Sequence, residues 1–167
     1  MRECAEAGVY ALCEYQDDSL IELAKWIEAH DDLIPMPVTS DNIHTTVVYS
    51  RSNFQIPTDV DAFNQALSEL KFYPAGLTIL GRQNDDKKAL AILLDAGPLI
   101  DLHNMLKESG ASHDFDDYIP HITVSYEISD DFDISQIALP EFCFKPEKIN
   151  FKPLNTNWCL QDTKDVI

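Results

Sequence analysis

Two short stretches of the chain carry residues whose types and spacing could do chemistry. In "NIHTTVVYS", residues 42–50, His44 stands two residues before Thr46, and in "PHITVSY", residues 120–126, His121 stands two residues before Thr123. Each motif opens an apolar, β-branched run of the kind that forms strands. Side chains at i and i+2 of a strand point to one face. Each strand would therefore offer an imidazole and a hydroxyl on the same side. Two such strands side by side would surround one cleft with two imidazoles and two hydroxyls. That inventory suits cleavage of a phosphodiester without a metal. One imidazole takes a proton from the attacking oxygen and the other gives one to the departing oxygen, both titrating near neutral pH. The threonines can donate hydrogen bonds to the non-bridging oxygens, where charge builds in the transition state. A single His-x-Thr is ordinary in a structural strand, but its recurrence in a chain with five histidines points to function.

The remaining residues offer no competing chemistry. His30 ends a predicted helix, His103 lies within one, and His113 sits in the polar stretch "SGASHDFDDY"; all three read as structural or solvated. There is no His-Glu-x-x-His and no compact Cys/His cluster for zinc, and the acids around Asp116 and Asp117 lack calcium-loop spacing. Neither a Gly-x-Ser-x-Gly elbow nor a glycine-rich phosphate loop occurs. The sequence thus predicts no metal and no cofactor. Cys4, Cys13, Cys143 and Cys159 form no Cys-x-x-Cys pair and read as reduced, structural thiols.

Charge bounds the partner. The 167 residues carry 29 acids against 12 bases, a net charge of −17. Long nucleic acid is held by many Lys and Arg contacts to phosphate, so this surface excludes a polymer of that kind. A small anion needs only a few local donors, among which Arg51 and Lys152 are candidates. No apolar run reaches the length of a membrane span, and "MRECAEAG" lacks a signal-peptide core, so a cytoplasmic protein is expected. No obligatory protein partner is evident.

The elements that must position the motifs follow from periodicity. Strands are predicted over 8–15 ("GVYALCEY"), "IHTTVVYS" and "HITVSYE", with further strand candidates in 141–152 and 156–161. "GLTILG" and "KALAILLD" flank the polar turn "RQNDDK" as a β-hairpin. Residues 17–30 form an amphipathic helix with Leu20, Leu23, Ala24 and Ile27 at helical spacing and acids at its start. Residues 58–70 form a second, capped by Thr58 or Asp59, and 98–109 a third, with Pro98 in its first turn and Gly110 at its end. Interleaved helices and hairpins predict an α+β fold, a single domain spanning 1–167 with no linker.

"HTT" at 44–46 and "HIT" at 121–123 resemble the twin motifs of the 2H phosphoesterase superfamily. Residues 8–54 and 118–126 are similar, more narrowly, to the phage anti-CBASS protein 1 family. The resemblance implies two pseudo-symmetric lobes, antiparallel sheets around a central cleft with helices outside. It implies that His44 and His121 are the catalytic pair, with Thr46 and Thr123 on the phosphate. It implies a substrate as well: cyclic di- and trinucleotides, such as 3′,3′-cyclic GMP-AMP, made by bacterial immune cyclases in the infected cell. Tyr10 and Trp158 are the matching candidates for aromatic contacts to the bases, with a C-terminal segment closing over the ligand. The rival expectations are another 2H activity, on 2′,3′-cyclic or 2′–5′ phosphodiesters, and a sponge that binds cyclic nucleotides without cleaving them.

Overall fold

The computed structural model describes residues 8–50, 60–81, 87–112 and 118–153. The chain runs through β1 (Val9–Tyr15), α1 (Asp17–Ala29), β2 (Thr45–Ser50), α2 (Val60–Leu67), β3 (Tyr73–Leu80), β4 (Lys88–Asp95), α3 (Gly97–Glu108), β5 (His121–Ile128) and β6 (Pro146–Pro153). Every predicted element within the described residues forms. Those bounds shift by a few residues, most at the last strand, which begins at Pro146 rather than 141. The caps proposed for α2, the hairpin turn and the strand candidate 156–161 lie outside the described residues.

Two three-stranded antiparallel sheets result, in the orders β2-β1-β6 and β3-β4-β5. The fold is therefore α+β. Its two halves repeat one unit: a central strand, a helix, then an antiparallel neighbour that carries a His-x-Thr motif. The first is β1-α1-β2 and the second is β4-α3-β5. In each sheet the motif strand stands at the edge, and residues of β2 and β5 approach one another.

The helices form because one stripe of each is apolar. Leu23 and Ile27 of α1 are buried, with Leu20 packed beside them, while Ala24 faces outward. Leu99, Leu102 and Leu106 of α3 are buried, spaced to line one face. Pro98 sits in the first turn of α3, and Gly110 follows its end at φ 111, a left-handed conformation that side chains resist. Residues from both sheets join one core, including Ala11, Cys13, Val48 and Ile149 from one and Leu90, Ile92, Ile122 and Val124 from the other.

Each motif strand contains a β-bulge immediately after its threonine. Leu12 pairs with Thr46 and Ala11 with Val48, leaving Val47 as an extra residue in β2. Ala91 pairs with Thr123 and Leu90 with Ser125, leaving Val124 extra in β5. A bulge leaves its backbone groups out of the ladder, and here the opposite half of the molecule takes them up. The Val47 carbonyl accepts from His103 Nδ1 of α3 at 2.7 Å. The Val124 carbonyl accepts from the Val38 amide, in the segment after α1, at 2.8 Å.

Candidate active site

Both histidines are held by the same local device. The Nδ1–H of His44 donates to the Asn42 carbonyl at 2.8 Å, and the Nδ1–H of His121 donates to the Ile119 carbonyl at 2.8 Å. A carbonyl can only accept, so in each neutral ring Nδ1 carries the proton and Nε2 is a bare acceptor. Sequence arranges this twice in different ways. A single 3₁₀ turn, Ser40–Asn42, delivers the Asn42 carbonyl. In the second motif Pro120 restricts Ile119 to extended backbone just before the strand.

Burial disfavours the charged form of both imidazoles and holds both below the ordinary histidine range. The carbonyl bonds oppose that shift in each ring. His44 is lowered further by the positive charge of His121 and of Lys152, while Glu14 pulls the other way. The two rings thus lie within electrostatic reach of each other. Lys152 stands opposite Tyr10 in the β1–β6 register, on the face that carries Thr46. Arg51 and Trp158 lie outside the described residues.

The pairing also separates the two threonines of "HTT". Thr46 shares its sheet face with Leu12 and Tyr10. Thr45 is fully buried on the opposite face, 2.6 Å from the Tyr15 hydroxyl. Of the two, Thr46 is the half-buried one, on the face that carries Tyr10.

Tyrosines complete the cluster. The Tyr10 hydroxyl lies 2.7 Å from His44 Nε2 and 3.1 Å from Thr46 Oγ1. Its ring meets those of His44 and Tyr49 edge-on. In the other motif the Tyr126 phenol hydrogen-bonds the Thr123 side chain. Tyr49 and Tyr126 each stand three residues after their threonine, in "HTTVVY" and "HITVSY". Sequence reasoning based on alternation misses them, because an offset of three puts them on the wrong face of a regular strand. The bulge inserts one residue and turns each back toward its threonine. The repeat is six residues long, and that length was the available signal.

His103 is buried and structural. It stacks on Tyr118 with centroids 4.2 Å apart and planes 7° from parallel. The Tyr118 hydroxyl in turn donates to the Thr46 carbonyl at 2.7 Å. Among the described residues no group of three His, Cys, Asp or Glu side chains converges to hold a metal, and no helix is long and apolar enough to cross a membrane. Cys13 is a buried free thiol.

Comparison with known proteins identifies the family and the fold. The family described as Anti-CBASS protein Acb1 matches residues 7–161. The chain belongs to the Acb1 family. Relatives in that family include the anti-CBASS protein of Salmonella phage S16, 31% identical over 91% of both chains. That of Enterobacteria phage T4 is 29% identical over 90% of this chain and 91% of its own. That of Yersinia phage phiR1-RT is 33% identical over 75% of each. Among solved structures, TT0787 of Thermus thermophilus superposes with a TM-score of 0.58 over 86% of both chains at 13% identity. Escherichia coli LigT complexed with 3′-AMP gives 0.51 over 89% of this chain and 95% of that one, at 16% identity. The chain thus has the fold of the 2H phosphoesterases, and its family makes it a phosphodiesterase.

Proposed function

We propose that the protein cleaves small cyclic di- and trinucleotides of the kind bacterial immune cyclases produce, in the cytoplasm of the phage-infected cell. The bond broken is a 3′–5′ phosphodiester. The 167 residues act as one domain of two lobes, each supplying one His-x-Thr strand. The observation that carries the reading is the device made twice, an imidazole tied through Nδ1 to the carbonyl two residues earlier, which leaves Nε2 as the ring's acceptor.

His44 is the base and His121 the acid. Burial and the positive charges of His121 and Lys152 lower the proton affinity of His44, which suits a base whose ring is unprotonated in the free protein. His44 Nε2 removes the proton of the ribose 2′-OH, and the oxygen attacks the adjacent phosphorus, already held within reach. The leaving 5′ oxygen takes its proton from Nε2 of protonated His121, whose charge the substrate phosphate favours. Thr46 and Thr123 donate to the non-bridging oxygens. The first product is a linear nucleotide ending in a 2′,3′-cyclic phosphate, which water opens afterwards. Tyr10 and Trp158 contact the bases.

The test is chromatography of a panel of cyclic oligonucleotides and linear RNA ends incubated with protein and EDTA. Linear products from the cyclic panel alone are expected, together with resistance of a 2′-O-methyl analogue at the scissile nucleotide. Activity that requires a divalent ion, or release of intact ligand on heating, would overturn the reading.

A further inference from the structure

The tautomer of His44 fixes the direction of the hydrogen bonds around Tyr10. His44 Nδ1 donates to a carbonyl, so Nε2 of the neutral ring can only accept. The Tyr10 hydroxyl, 2.7 Å away, therefore spends its one proton on Nε2. It has none left for Thr46 Oγ1 at 3.1 Å, so the threonine hydroxyl is the donor in that contact. In the free protein the phenol thus occupies both the lone pair that must accept the nucleophile's proton and the proton that must meet the phosphate.

We propose that Tyr10 is a positioning residue whose hydroxyl couples the base His44 to the phosphate donor Thr46. This rests on the reading of the two motifs given above. When the substrate hydroxyl reaches Nε2 it displaces the phenol, because that nitrogen has a single lone pair. The Tyr10 O–H then swings to Thr46 Oγ1, already beside it. Accepting that bond releases the threonine's own proton toward a non-bridging oxygen. Engaging the nucleophile and arming the phosphate contact become one event. The proton count is unchanged throughout: each hydroxyl keeps its proton and only the direction of donation reverses. Burial supports the scheme by pushing the Tyr10 phenol up to about 12, so it stays a neutral donor across the working range. The role is distinct from a ring stacked on a base, since it resides in one oxygen atom.

Tyr10→Phe in the full chain separates the two. The titratable groups that act electrostatically on His44 or Tyr10 are Glu14 of β1, Tyr49 of β2, His121 and Tyr126 of β5, and Lys152 of β6, and the substitution alters none of them. Turnover at saturating substrate should fall roughly 10–100-fold, because Thr46 loses the hydrogen bond that aligns its own donation to the phosphate, with KM changed less than about twofold. Adding Thr46→Val to Tyr10→Phe should cost little more, because the pair acts as a unit. Nitrogen NMR should find the His44 ring titrating at higher pH in Tyr10→Phe, since the phenol favours a bare Nε2. In the unmutated protein the same spectra report the tautomer directly, whatever the variant's stability. Wild-type turnover in Tyr10→Phe, multiplicative losses in the double variant, or an Nε2–H tautomer of His44 in the free protein would each overturn the coupling. A wild-type protein inert toward every cyclic oligonucleotide would instead overturn the reading of the motifs.

Discussion

Removing one oxygen from Tyr118 tests whether the bulge in β2 is held by side chains outside its own sheet. The Tyr118 hydroxyl donates to the Thr46 carbonyl at 2.7 Å, and His103, on which Tyr118 stacks, donates to the next carbonyl, Val47, at 2.7 Å. Tyr118→Phe keeps the ring and its stack, so it opens no cavity. What it loses is the donor to the part-buried Thr46 carbonyl, one residue before the bulged Val47. Leaving such a group unsatisfied costs about 1–3 kcal/mol. A central value of about 2 kcal/mol lowers the melting temperature of a chain this size by roughly 4–8 °C. The same carbonyl belongs to the residue whose hydroxyl is assigned to the phosphate. A displacement of Thr46 approaching 1 Å would reduce turnover by up to roughly 100-fold. Calorimetric melts and single-turnover cleavage of a cyclic dinucleotide measure the two effects on one preparation. A melting temperature within about 1 °C of wild type, together with unchanged turnover, would show that the bulge holds itself.

The threonines provide a graded comparison. Thr46→Val and Thr123→Val should each lower single-turnover cleavage roughly 10–10³-fold with ligand binding kept, and Thr45→Val should instead act on stability, through its bond to Tyr15. Stability should also depend on pH. Burial lowers the folded pKa of His44, His103 and His121, so their neutral forms stabilise the fold fully above about pH 6.5, and that contribution is lost as pH falls through the depressed folded values. Urea melts at high salt, which screens the acidic surface, should show a midpoint that drops between pH 7.5 and 5.5. The drop should be smaller in a protein lacking both site histidines, and an equal drop would contradict the shifts.

Much of this was legible because the controlling forces are local. The offset of two between His and Thr fixes a shared face in any strand, and the leucine stripe of α3, with Pro98 and Gly110 at its ends, specifies a helix whatever surrounds it. The bulges were not legible. They are a property of register between strands distant in sequence, and only the pairing of Leu12 with Thr46 and Ala11 with Val48 exposes the extra Val47. For that reason Tyr49 and Tyr126 went unread, as did the service His103 gives across to Val47. The sequence offers Tyr10 as a ring for base contacts, while its oxygen lies at the imidazole, a contact between residues 34 apart that composition cannot show.

The central claim is that His44 and His121 are a working acid–base pair. Its most direct test is single-turnover cleavage of a cyclic dinucleotide, alongside thermal melts, by His44→Ala, His121→Ala and the double variant. Each single variant should fold, bind ligand and lose roughly 10²–10⁴-fold in rate. The double variant should lose less than the product of the two, because the pair acts in one concerted step. A folded single variant that cleaves at the wild-type rate would contradict the account, as would one that fails to fold at all.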